Sequence, residues 1–169
     1  MGQDAHARPA PERARPAMAE PGAVDLIHLE DADGDRCIVR VTGRYKHDVL
    51  TTHDVLQAEV LAHASFVDAR LELCLFQRDL DAWQQELAGL APGRGASIGG
   101  DRGLNLVLHM QEDRSLAITV LDPDRLMAVL WIRPQENWTD EHQDRLEQVR
   151  QTWPSEAPMT YEWRPSQGS

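Results

Sequence analysis

Residues 55–90, VLQAEVLAHASFVDARLELCLFQRDLDAWQQELAGL, contain both hydrophobic periodicities of the chain and decide its fold class. Apolar residues alternate with polar ones over residues 55–62 and 69–76, which predicts two strands that each bury one face. The period then changes, and Asp79 is the predicted N-cap of an amphipathic helix that ends at Pro92-Gly93. The apolar stripe of this helix consists of Leu80, Trp83, Leu87 and Leu90.

The flanking sequence extends the sheet on both sides of this segment. Upstream, residues 24–29 and 36–42 form a predicted hairpin around an Asp-Gly turn. Downstream, strands are predicted at residues 104–110, 115–121 and 126–133. Thr139 is the predicted N-cap of a last helix, whose buried stripe consists of His142, Leu146, Val149 and Trp153. The predicted fold is therefore α+β, a mainly antiparallel meander sheet of about seven strands with two helices packed against it.

The 169-residue chain divides into one domain and two tails. Residues 1–22 contain four of the ten prolines and little apolar surface, so we predict a disordered N-terminal tail. Residues 23–154 form the predicted single α+β domain, and residues 155–169 a loose C-terminal tail. The start of the chain does not resemble a signal peptide, and we expect a cytoplasmic protein.

The net charge of −11 predicts the kind of partner. It disfavours nucleic acids and anionic membrane surfaces, and it is compatible with a basic protein. We also expect no membrane-spanning segment, because no apolar run approaches 18 residues. Cys37 and Cys74 both fall in predicted strands, where a reduced cysteine is expected to be buried.

Two short motifs that resemble ligand sites favour structural interpretations. The glycine-rich residues 93–103 follow a helix and precede a strand, the reverse of the order that a phosphate-binding loop requires, which favours a flexible connector. Asp31, Asp33 and Asp35 resemble the start of a calcium loop, but Thr42 replaces the glutamate at its last position. No metal and no cofactor is predicted.

The histidines support an alternative function. His47, His53, His63 and His109 lie near predicted strands, and would serve a small-ligand or metal-dependent enzyme. A pairing of Cys74 with His109 is also conceivable, although it requires the two strands to lie close together. Trp131 and Trp138 flank the last strand-to-helix turn, where packing is the favoured interpretation over binding.

Four phrases of the sequence resemble an uncharacterised family of actinobacterial proteins with a domain of unknown function, and this resemblance implies no activity. They are DLIHLEDADGDRCIVRVTGRY (25–45), ASFVDARLELCLFQRDLDAWQQELAGL (64–90), GLNLVLHMQEDRSLAITVLDPD (103–124) and LWIRPQENW (130–138). The arrangement of strands and helices is also similar to that of WapI-type immunity proteins, which neutralise a secreted toxin. This second resemblance concerns packing features and implies a fold, and it assigns no interface residue.

We therefore expect a non-catalytic protein-binding module, immunity-like or regulatory, with the histidine-based enzyme as the alternative. An oligomer-forming component is a third possibility. The residues predicted to form an acidic contact surface are Glu59, Glu72, Asp101, Glu112, Asp113 and Asp122.

The N-terminal tail provides a first test. Deletion of residues 1–17 should leave the melting temperature unchanged, because this stretch has no apolar periodicity to bury. A drop of several degrees in thermal unfolding would show that the tail packs on the domain.

Overall fold

The computed structural model describes residues 22–45, 54–100 and 103–155. The two tails beyond these ranges lie outside the described residues, as do residues 46–53, which include His47 and His53. The described elements are β1 (Val24–Glu30), β2 (Arg36–Arg44), β3 (Leu56–Ala64), β4 (Val67–Leu75), α1 (Gln77–Ala88), β5 (Gly95–Gly99), β6 (Asn105–Met110), β7 (Leu116–Asp122), β8 (Leu126–Ile132) and α2 (Trp138–Thr152).

The α+β class is confirmed, and the strands form two antiparallel sheets of four. The first has the order β1-β2-β3-β4 and the second the order β5-β6-β7-β8, so the single seven-stranded sheet was wrong. Each sheet is a meander, because every pair of sequence neighbours within it is also a pair of hydrogen-bonded neighbours. The two sheets contribute to one hydrophobic core. It includes Val39 and Val60 from the first sheet and Ile118 and Leu130 from the second.

The strand missing from the prediction is β5, in the glycine-rich segment interpreted as a flexible connector. Gly99 has a φ of +116°, and a Cβ there would collide with the Leu104 carbonyl oxygen. At Gly95 a Cβ would lie 2.8 Å from the carbonyl oxygen of Leu108. These glycines let β5 approach β6 closely.

Helix α1 begins earlier than expected. Its N-cap is Phe76, and Asp79 lies three residues inside, where its carboxylate accepts the Phe76 backbone N–H at 2.8 Å. The predicted stripe is confirmed for Leu80, Trp83 and Leu87, which are buried. The helix packs mainly against β5 and α2.

Helix α2 lies along β1, at the outer edge of the first sheet. Asn137 is its N-cap, so the prediction of Thr139 was wrong by two residues. Its predicted buried stripe is confirmed, and His142 lies within it with no exposed surface. Neither α1 nor α2 is long and apolar enough to cross a membrane.

The two cysteines have different environments. Cys37 is fully buried, as predicted, and burial raises the pKa of its thiol to about 12. Cys74 is exposed, which corrects the prediction, because the outer face of β4 is open to solvent.

The core position of Trp83 leads to a stability prediction. Its side chain is 0% exposed, and its indole N–H has no hydrogen-bond partner. We expect Trp83→Ala to lower the free energy of unfolding by about 3 to 5 kcal/mol, through lost burial and a new cavity. Trp83→Phe should cost less, because it also removes an unsatisfied buried donor. In urea titration, a loss below about 1 kcal/mol for Trp83→Ala would contradict the core assignment.

His142 makes stability depend on pH. Its Nε2 accepts the His28 backbone N–H at 3.0 Å, and its Nδ1 lies 2.6 Å from the Trp138 carbonyl oxygen. Both nitrogens are satisfied when Nδ1 alone carries a proton, and burial lowers the pKa of the ring to about 4.

The unfolded chain therefore binds the proton more tightly than the folded one. The contribution of the neutral His142 ring to the free energy of unfolding is complete above pH 6.5 and is lost as the pH falls towards 4. We expect the free energy of unfolding to fall by about 2 kcal/mol between pH 7 and pH 5, as measured by urea titration. His142→Leu should be less stable at pH 7 and show a weaker pH dependence, and an unchanged dependence would contradict this role.

Candidate functional site

The outer face of the second sheet is an exposed apolar surface. Met127 and Trp131 of β8 are 74% and 59% exposed, far more than core side chains of the same kind. We call this surface the apolar face, and it consists of Val107, Ala117, Thr119, Leu121, Met127, Val129 and Trp131.

The strand register makes the apolar face continuous. Across β7 and β8, Ala117 lies opposite Trp131, Thr119 opposite Val129 and Leu121 opposite Met127. Val107 of β6 lies opposite Thr119 and extends the surface by one strand. Residues directly opposite each other on one face are in side-chain contact range, so these positions form one patch.

The first sheet has a very different outer face. Its β3 and β4 residues there include Glu59, His63, Asp68 and Arg70, and Arg70 forms an ion pair with Glu59 at 2.6 Å. The outward positions of β5 to β8 include no aspartate, glutamate, lysine or arginine. The two sheets therefore share a core but present a charged surface on one side and an apolar surface on the other.

An acidic depression lies at the β7–β8 turn, which connects Leu121 to Met127 at one end of the apolar face. This depression of about 360 Å³ is lined by Glu72, Asp122, Asp124 and Arg125, among others. The Asp122 carboxylate accepts a hydrogen bond from Arg125 Nε at 2.9 Å, which lowers the pKa of Asp122 despite its burial. Asp122 therefore stays ionised, and carboxylates outnumber guanidinium groups at this end.

A second depression, of about 410 Å³, lies at the opposite ends of these strands. Its lining carries two carboxylates, Asp113 and Glu136, and two guanidinium groups, Arg114 and Arg133, so the charges there balance. Ser115 donates hydrogen bonds to Asp113 from its hydroxyl and backbone N–H, and these bonds lower the pKa of the carboxyl. The Arg133 guanidinium pairs with the same carboxylate at 3.0 Å.

The predicted acidic residues do not form one surface. Glu72 and Asp122 lie together at the first end, and Glu112 and Asp113 lie in the β6–β7 turn at the other. Glu59 lies on the first sheet, paired with Arg70, and Asp101 lies outside the described residues. Glu112, Asp113 and Asp122 thus lie at the ends of strands that carry the apolar face, which the sequence analysis did not identify, and Glu72 of the first sheet lines the depression beside Asp122.

The two tryptophans near the last turn have separate roles. Trp138 is buried and contacts the His142 ring edge-to-face, with 5.3 Å between centroids, so its packing interpretation is confirmed. For Trp131 that interpretation was wrong. The run LMAVLWI (126–132) is apolar on both faces, so periodicity alone gives no indication of which side is exposed.

The histidines are not brought together within the described part of the chain. His63 lies on β3, with Nδ1 3.7 Å from the Asp68 carboxylate. His109 lies on β6 of the other sheet, where the Gln111 side chain contacts its ring. Across residues 22–45, 54–100 and 103–155, no group of three or more acidic, histidine or cysteine residues is arranged to hold a metal ion.

Comparison with known proteins identifies the family. No curated protein and no solved structure matches the chain. Residues 24–154 match DUF5959, a family of unknown function, and this match covers nearly all of the described fold. The chain therefore belongs to the DUF5959 family.

Proposed function

We propose that this chain is a non-catalytic protein-binding module that holds a basic protein against its apolar face. The observation that carries the proposal is the contrast between the two sheets. One outer face is charged, whereas the other is apolar and free of carboxylates and guanidinium groups, with a surplus of carboxylates at the β7–β8 turn.

The apolar centre has the composition of an interface core. A contiguous apolar patch on a soluble domain marks an interaction site more often than isolated apolar residues do. Tryptophan and methionine are enriched in interfaces, and tryptophan often dominates the binding energy. Trp131, with an exposed indole at one end of the patch, is the expected anchor.

The charged ends supply orientation. Glu72, Asp122 and Asp124 surround the single Arg125 at one end, so the local charge there is negative. The net charge of −11 adds a long-range field that attracts a basic partner and speeds its encounter. The apolar surface would then contribute affinity, and the acidic end would contribute orientation and association rate.

The proposal has two forms, in which the basic partner is either a toxin or a regulatory target. In either form the module acts in the cytoplasm, and its two free thiols, Cys37 and Cys74, are compatible with a reducing compartment. A toxin gene beside the coding sequence would favour the immunity form.

Substitution at the centre of the patch tests the proposal. We expect Trp131→Ala to weaken binding about 30-fold or more, the range of an interface hot spot, with little change in melting temperature. The matched control is Phe66→Ala, which removes an aromatic ring that is 65% exposed in the β3–β4 turn, away from the apolar face.

Immobilised wild type and both variants would be exposed to a lysate of the source organism. Proteins retained by the wild type and Phe66→Ala but lost with Trp131→Ala would then be purified and titrated by calorimetry. The proposal expects a basic protein whose affinity falls as salt is added. A partner that binds Trp131→Ala as tightly as the wild type, or whose affinity does not change with salt concentration, would overturn the proposal.

A further inference from the structure

Three of the four sheet edges are protected against pairing with another strand. At the β1 edge, α2 covers the strand, and His142 Nε2 takes the outward backbone N–H of His28 at 3.0 Å. At the β5 edge, α1 covers the strand, and the Glu86 carboxylate takes the backbone N–H of Ser97 at 2.5 Å. In both cases a helix supplies a side-chain acceptor for a donor that a further strand would otherwise satisfy.

The β4 edge is protected by charge instead. Asp68, Arg70 and Glu72 alternate along the strand and are exposed. Charged side chains on an edge strand discourage pairing, because an added strand would have to pack beside them.

The β8 edge has neither kind of protection in the parts of the chain that the structure describes. Its sequence, LMAVLWI, contains no charge, proline or glycine. Its hydrogen-bonded neighbour is β7, and it also packs near β2, whose own backbone is already paired with β1 and β3. An exposed, apolar and uninterrupted edge strand is a template for another strand.

The backbone alternation identifies which β8 residues face this edge. Met110 bonds through its N–H and C=O to Arg94 and Gly93 on the β5 side, whereas the Gln111 N–H bonds to Ser115 on the β7 side. The backbone N–H and C=O groups of odd-numbered β6 residues therefore point to β7. In β7, the odd-numbered residues opposite them bond to β6, so the even-numbered residues bond to β8. The register pairs these with even-numbered residues of β8, whose backbone groups therefore point to β7.

Met127, Val129 and Trp131 must then direct their backbone N–H and C=O groups outward from the sheet. The same alternation agrees with the two protected edges, where the His28 and Ser97 N–H groups point away from their sheets. The three residues that offer free backbone groups are also the β8 residues whose side chains form the apolar face. A strand that bonded to them would place alternate side chains on the apolar face.

We propose that the basic partner binds by adding an extended strand to β8, so that the second sheet gains a fifth strand. This inference rests on the proposed function and specifies how the partner is recognised. Main-chain hydrogen bonds to Met127, Val129 and Trp131 provide affinity, and apolar side chains of the added strand extend the apolar face.

Charge makes a second copy of this chain a poor occupant. Arg125 and Arg133, which flank β8, are already paired with Asp122 and Asp113 of their own chain. Full antiparallel pairing of two β8 strands about Val129 would bring Asp124 of one copy and Glu136 of the other to the same end of the strand pair, where like charges disfavour association. A partner strand flanked by lysine or arginine would instead meet the carboxylates of Asp124 and Glu136, for which no ion pair is formed by the described residues.

The probe is an octapeptide in which valine and threonine alternate between a lysine at each end. Residue-resolved amide hydrogen exchange of the full chain would be measured with and without millimolar peptide. We expect exchange at Met127, Val129 and Trp131 to slow at least tenfold, while Ala128 and Leu130, already bonded to β7, change little. Exchange that does not slow at the three odd positions would overturn the proposal.

Substitution of Val129 separates edge pairing from contact with the face. Val129→Pro removes an outward N–H without removing a bond to β7, and should abolish peptide protection of Met127 and Trp131. Val129→Thr retains the N–H and the β-branched shape, and should bind as the wild type does. Retained protection in a folded Val129→Pro would contradict strand addition.

Two further outcomes are decisive. Strong protection of the three odd amides in the free chain would mean that the edge is already occupied, by the chain itself or, if protection rises with concentration, by a second copy. Either result overturns the proposal. A purified partner that is lost with Trp131→Ala but unaffected by Val129→Pro would leave the proposed function standing and refute strand addition alone.

Discussion

The bond from the His28 backbone N–H to the buried His142 imidazole holds α2 against the edge of the first sheet. Because the ring is wholly buried, both of its nitrogens need partners, and His28 and the Trp138 carbonyl provide them. This bond satisfies a donor that an added strand would otherwise take, and it brings the apolar stripe of α2 onto the core. It therefore joins the last element of the described fold to the first, across 114 residues of sequence.

The same requirement, that edge backbone groups be satisfied or shielded, accounts for the positions of both helices. Helix α1 provides Glu86 for β5, as α2 provides His142 for β1. Each sheet thus has one edge covered by a helix. At the other edges, β4 and β8, only the side chains of the strand itself can discourage pairing. At β4 those side chains are charged, whereas at β8 they are apolar. The apolar edge is the exception that requires a functional explanation, since natural edge strands usually avoid pairing.

Much of this fold could be predicted from local periodicity, and the errors have identifiable causes. Alternation in β3 and β4, and the stripe of Leu80, Trp83 and Leu87, arise from contacts that each element makes along its own length. The second sheet begins with the strand that follows α1, which is β5. This strand was not predicted because Gly95 and Gly99 are residues typical of a loop. Their role is visible only when the close carbonyl groups of Leu104 and Leu108 are known.

The position of the candidate site was not predictable from charge. Asp122, Glu112 and Asp113 were chosen for their acidity, and they lie at the ends of strands that carry the apolar face, with Glu72 of the first sheet beside Asp122. The face itself was hidden because β8 is apolar on both sides, as a fully buried strand would be. In the first sheet, by contrast, the charged outer residues of β4 identify the exposed side directly.

In the proposed function, charge and apolar surface would perform complementary tasks. An apolar patch of this kind would bring copies of the chain together, but the net charge of −11 makes copies repel one another. The repulsion is local as well, because self-pairing of β8 would bring Asp124 of one copy and Glu136 of the other, neither of them ion-paired within the described residues, to the same end of the strand pair. The basic partner that we propose would meet neither obstacle and would gain the apolar contact. On this proposal, the charges that keep the free chain apart from its copies would also select the partner of the apolar face.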